Sequence, residues 1–103
     1  MTKLFISYSR KDETFAKRLY ADLIDAGFDV WWDQQTLDNR GTTFLHEIQK
    51  AIYDADRLIL VVSPDALGSQ YVEYEWRHAL VSCTAINPVL LHGEYSYQND
   101  LSN

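Results

Sequence analysis

The stretch Leu58-Ile59-Leu60-Val61-Val62 is apolar without a single polar alternate. A strand with one face in water alternates apolar and polar residues; an unbroken apolar run is what a parallel strand covered on both faces requires. Such a strand needs neighbours and covering helices, and the rest of the chain supplies them in alternation. Leu4-Phe5-Ile6 reads as a first strand, ending in the polar cluster Ser7 to Asp12. Phe15, Leu19, Leu23 and Ala26 then recur at helical spacing, with Asp12 as N-cap and Gly27 as the stop. Phe28 to Trp32 reads as a second strand, followed by a long polar loop from Asp33 to Gly41. Thr42 or Thr43 can cap a second helix with Phe44, Ile48, Ala51, Ile52 and Ala55 on its apolar face, ending near Asp56.

Beyond the central strand, Ser63-Pro64-Asp65 looks like an N-cap with proline at the first helical position, interrupted by Gly68-Ser69. The third main helix starts near Ser69 and carries Val72, Trp76, Ala79, Leu80 and Cys83 on one face; Pro88 to Leu91 reads as a fourth strand. Strands alternating with helices at this spacing build right-handed βαβ units, so the fold class is α/β, a parallel sheet with helices on both faces. Residues 1–103 form one domain. The polar run Tyr95 to Asp100 supplies no helix to return over the fourth strand, which suggests a truncated domain or part of a longer chain.

Composition narrows the function. Fifteen acidic against nine basic residues give a net charge of −6, and no basic run exceeds two residues, so nucleic acid is not the expected partner. A single cysteine excludes an intrachain disulfide and suits a reducing, cytoplasmic setting; no segment approaches membrane-spanning length. No zinc spacing is present, and His46, His78 and His92 form neither a nucleophile triad nor a metal motif; His46 and His78 read as solvated helix residues. The first loop has no glycine, so neither a P-loop nor a dinucleotide fingerprint can be built there.

In open parallel sheets, ligands bind beyond the carboxyl ends of the strands, where strand order reverses. That rule nominates Ser7 to Asp12, Asp33 to Gly41 and Ser63 to Glu75. Glu75, three residues after Val72, falls at the border of the third helix's buried face; it reads either as a border carboxylate helped by the helix dipole or as a functional acid. Tyr71 lies one turn before it, and an aromatic ring beside a carboxylate can hold a heterocycle and its attached sugar.

These segments, in order, resemble the Toll/interleukin-receptor homology (TIR) domain. Phe5-Ile6-Ser7-Tyr8-Ser9 with Asp12 looks like the family's first motif, and Gly27 to Asp33 like its second strand and following acid. Leu37 to Gly41 with Phe44 is similar to the loop leading into its second helix; Ala55 to Pro64 and Ser69-Gln70-Tyr71-Val72-Glu73-Tyr74-Glu75-Trp76 complete the series. The resemblance implies a flavodoxin-like fold of five parallel strands, of which this chain supplies four, without the last strand and its flanking helices.

It also implies one of two functions. Some family members cleave NAD+; others are interaction modules without that activity. Carried over by position, Glu75 would be the catalytic carboxylate, with Tyr8, Arg10, Asp33, Phe44, Ser69 and Tyr71 as substrate-binding residues and no metal. NAD+ would be the substrate and no cofactor would be needed; the products would be nicotinamide with ADP-ribose or a cyclic isomer. Partners would be other TIR domains, through the Gln34–Gly41 loop, and a fused sensor domain outside this chain, as suits an immune or anti-phage effector.

Overall fold

The computed structural model describes residues 2–32 and 41–91, the side chains of 41–45 excepted. Strand β1 (Lys3–Ser7) leads through a short 3-10 turn (Arg10–Asp12) into helix α1 (Glu13–Asp25), and β2 (Asp29–Trp32) follows. Helix α2 (Gly41–Asp54) precedes β3 (Arg57–Val62); the one-turn helix α3 (Pro64–Leu67), helix α4 (Gln70–Val81) and β4 (Ala85–Leu90) complete the order. The sheet runs β2-β1-β3-β4, all parallel, with Phe5 opposite Trp31 on one side and Leu58 on the other. The α/β class holds, with four strands among the described residues.

The side-chain alternation of each strand explains the continuous apolar runs. Phe5, Trp31, Leu58, Leu60 and Ile86 pack against Ile48, Ile52 and Ala79 of α2 and α4, while Ile6, Val30, Trp32, Ile59 and Val61 pack against Ala16, Leu19 and Leu23 of α1. Because successive residues of one strand serve opposite faces and both faces are covered, no polar alternate is tolerated. No helix among the described residues is long and apolar enough to cross a membrane.

The structure moves several boundaries. Helix α2 begins at Gly41, before the threonines the spacing nominates as caps, and ends at Asp54. Asp12 stands at the N-cap of α1 but makes no side-chain capping bond; it bonds Ser63 instead. Strand β4 starts at Ala85, three residues before Pro88, and contains the proline. Proline lacks the amide donor, and a strand paired only to β3 among the described residues can spare it. On α4, Val72 and Ala79 are buried as expected, but Leu80 is 59% exposed and Cys83 lies exposed beyond the helix end. The buried stripe is Val72, Glu75 and Ala79, so leaving the carboxylate out of the apolar stripe displaced its predicted centre toward Leu80.

Helices α1 and α4 end in the same way. The amide of Gly27 bonds the carbonyl of Ile24 at 3.0 Å and that of Phe28 the carbonyl of Leu23 at 3.1 Å; Cys83 bonds Leu80 at 3.2 Å and Thr84 bonds Ala79 at 2.9 Å. Both are Schellman caps, which place the first residue past the cap in the left-handed region. Gly27 does so at φ 98° and Cys83 at φ 61°. Only the glycine is free of the Cβ penalty, which is about 1–2 kcal/mol for an ordinary residue. Cys83→Gly should therefore raise the unfolding free energy by about 1 kcal/mol, and Gly27→Ala, whose new Cβ meets nothing within 4 Å, should lower it by about the same amount. Urea titration of the two variants checks both signs.

Candidate active site

Strand β1 lies between β2 and β3 although β2 comes next in the chain, so strand order reverses at the gap between β1 and β3. Ser7 is the last residue of β1 and Ser63 follows the end of β3; both are buried. The loops beyond them are joined. Ser63 donates its hydroxyl hydrogen to Asp12 Oδ2 at 2.5 Å while its oxygen accepts from the amide of Ala66 at 3.0 Å, capping α3. Ser9 accepts from the amide of Lys11 at 3.2 Å, and the Asp12 amide bonds the Ser9 carbonyl at 2.7 Å. The 3-10 turn after β1 is thus tied to the turn after β3, at the edge where the switch-point crevice of this sheet type lies.

Glu75 reaches this place from α4. It is the sixth residue of that helix, in the middle of the buried stripe, and 0% of its surface is exposed. The border position expected from spacing is corrected: a solvated carboxylate steadied by the helix dipole would not sit between Val72 and Ala79. Ser7 Oγ donates to Glu75 Oε1 at 2.6 Å, a short charge-assisted bond. Burying a carboxylate costs several kcal/mol against an apolar residue in the same place. Glu75 thus breaks the apolar pattern of its helix at that cost, at the edge where ligands bind this sheet type.

The other nominated residues divide. Tyr71, one turn before Glu75, is half-buried and packs on the Phe5–Ile52–Leu58 cluster. Ser69 caps α4, its oxygen accepting from the Val72 amide at 3.2 Å. Arg10 opens the 3-10 turn and is exposed. Tyr8 is not brought to Glu75: its ring is buried on the α1 face against Trp32, centroids 5.5 Å apart, because strand alternation sends residue 8 to the side opposite residue 7. Asp33, the side chain of Phe44 and the Gln34–Gly41 loop up to residue 40 lie outside the described residues.

His46 is exposed as expected, whereas His78 is half-buried with its ring against Tyr74, centroids 6.4 Å apart. Among the described residues no cluster of metal ligands occurs. A groove of about 380 Å³ lined by Lys3, Leu4, Trp31, Lys50, Ala51 and Asp54 runs along α2 at the amino ends of β1 and β2. That is the end of the sheet away from the crevice, so its size carries less weight than the placement of Glu75.

Sequence reasoning named Ser7 only as the first residue of the nominated loop Ser7 to Asp12 and did not pair it with Glu75. Its signal was available: a serine closing an apolar strand shares a face with Phe5, the face α4 covers.

The family model of the TIR domain matches residues 4–103. No curated protein matches the chain. Among solved structures, the TIR domains of the activated Roq1 resistosome, which directly recognises the pathogen effector XopQ, align with a TM-score of 0.74 at 25% identity, covering 88% of this chain and 58% of that one. This chain therefore spans less than two thirds of the Roq1 chain. The TIR domain of the Toll-related receptor TRR-2 from Hydra magnipapillata aligns at 0.67 and 20% identity, covering 95% and 75%. A 2-deoxyribosyltransferase from Bacillus psychrosaccharolyticus shares the fold at 0.67 and 14% identity, covering 97% and 79%. With the family model matched over nearly the whole chain and TIR domains among its structural neighbours, the chain belongs to the TIR-domain family.

Proposed function

We propose that this TIR domain cleaves the nicotinamide–ribose bond of NAD+, with Glu75 as the catalytic carboxylate. The observation that carries the proposal is a carboxylate set in the middle of an apolar helix stripe and held by Ser7 at the switch point of the sheet. One anion suffices chemically. The nicotinamide nitrogen of NAD+ is already cationic, so the C1′–N bond breaks with its electron pair moving to nitrogen and a neutral base leaves. The proton-donating acid that ordinary glycoside hydrolysis needs is then dispensable. Positive charge develops on the ribose, and a carboxylate beside it stabilises that charge. Water adding to C1′ and losing a proton gives ADP-ribose; attack by an adenine nitrogen gives a cyclic isomer.

Tyr71 and Ser69 at the start of α4 and Arg10 on the opposite wall are the substrate-binding residues of this reading, joined by Asp33 and Phe44 from the sequence resemblance. Tyr8 supports the wall from the core. Since Glu75 is fully buried, NAD+ reaches it only after the crevice opens, and we assign that opening to self-association of TIR domains in an immune effector whose sensor lies outside this chain. The Roq1 resistosome, an activated assembly containing TIR domains, supports this assignment. A cytoplasmic setting, where NAD+ is available, belongs to the same proposal.

The burial of Glu75 also favours a second reading, a non-catalytic interaction module in which the Ser7–Glu75 pair is structural. Nicotinamide release, followed by chromatography at high protein concentration with a crowding agent, separates the two. Release identifies the enzyme, and the co-product distinguishes hydrolysis from cyclisation; a folded, self-associating protein that releases none is the module.

A further inference from the structure

We infer that Ser7 is a positioning residue for Glu75, setting the carboxylate's orientation without touching substrate; this rests on the proposed NAD+ cleavage. Ser7 closes the central strand, opposite Leu60 of β3, and the preceding Ile6 is opposite Trp32 of β2 and Ile59 of β3. The strand therefore fixes where the Ser7 side chain starts, through its own pairing with β3 and the two-sided pairing of Ile6 before it. Its hydroxyl is 0% exposed and points to the face covered by α4, where it donates to Glu75 Oε1 at 2.6 Å. A glutamate has three side-chain torsions, and holding it in one orientation costs up to about 2 kcal/mol of rotamer freedom. The short bond from the end of β1 supplies that restraint, and in this proposal it is kept when the crevice opens, so the carboxylate does not have to reorganise when charge develops on the ribose.

Ser7 is linked to Glu75 across 68 residues of sequence, and its chain neighbours Ile6 and Tyr8 face the other side of the sheet. A donor that acts only on orientation has a particular kinetic signature. Its loss lowers kcat and leaves KM in place, because substrate binding is carried by other groups.

The test compares wild-type protein with Ser7→Ala, Ser7→Thr, Ser7→Val and Glu75→Gln, each checked for a cooperative unfolding transition, in steady-state NAD+ cleavage. Threonine and valine have nearly the same shape, so the pair isolates the hydroxyl from the added volume. The expected result is a kcat lower by about 10- to 100-fold in Ser7→Ala and Ser7→Val, KM within about twofold, and recovery of most of kcat in Ser7→Thr. Equal kcat in the Thr and Val variants, or a Ser7→Ala kcat within about twofold of wild type, overturns the positioning role while the enzyme reading stands. Turnover that survives Glu75→Gln, or no turnover by the wild type, overturns both. Should the larger side chains prevent folding, Ser7→Ala beside Ser7→Cys, which keeps a weak donor of similar size, gives the same comparison.

Discussion

If the chain cleaves NAD+ as proposed, Glu75→Gln is expected to lower nicotinamide release at least about 100- to 1,000-fold and to leave the thermal midpoint equal to or above that of the parent. The two halves of this result have one cause. Glutamine has the shape of glutamate and keeps an oxygen that accepts the Ser7 hydrogen bond, but it carries no charge. In the proposed reaction the charge stabilises a cationic ribose, so activity should go with it. It is also what makes the residue costly inside the stripe of Val72 and Ala79, since a neutral amide is far cheaper to bury than a carboxylate. A gain of about 1 kcal/mol would raise Tm by roughly 4–8 °C in a domain of this size. Differential scanning calorimetry beside the chromatographic assay reads both quantities. If the parent turns over NAD+ and the variant shows a lower Tm with turnover unchanged, the carboxylate is removed from the mechanism.

The largest loss of stability is expected from Phe5→Ala. Phe5 sits in the central strand, wholly buried, between Ile48 and Ile52 of α2, Leu58 of β3 and Ala79 of α4. Its ring lies nearly parallel to that of Trp31, 11° between planes and 4.9 Å between centroids. Truncating a buried phenylalanine costs about 3–5 kcal/mol through lost burial and the cavity left behind, against a total of about 5–15 kcal/mol for a domain. Urea unfolding followed by circular dichroism should show the midpoint falling by about a fifth or more of its parent value on roughly that ratio. Leu67→Ala and Val81→Ala, at side chains 80% exposed, serve as controls and should stay within about 0.5 kcal/mol of the parent. A Phe5→Ala variant as stable as these would mean that the core is not organised around β1.

The sheet class was legible before any coordinates because its signal is local. The run Leu58 to Val62 demands two covered faces, and the helical spacing from Phe15 to Leu23 supplies one cover. Gly27 as a helix stop was legible for the same reason: a left-handed residue past a helix end favours glycine whatever surrounds it. Strand β4 was half missed because it was read from Pro88 onward, whereas, paired only to β3 among the described residues, it can spare the proline's missing donor and extends back to Ala85. Leu80 was misassigned because the apolar stripe was drawn around a charged residue that in fact belongs to it.

At the site, the rule that parallel strands send their carboxyl ends to one edge was enough to bring the turns after β1 and β3 together, and spacing with the family resemblance singled out Glu75 as the residue to weigh. Only the tertiary structure decided how that carboxylate is held. Ser7 and Glu75 meet across 68 residues, and Asp12 and Ser63 across 51, distances over which helical and strand periodicities carry no information. Periodicity reports which face a residue occupies within its own element; the partner it finds on that face depends on how the elements pack, and packing is settled only when the whole sheet is assembled.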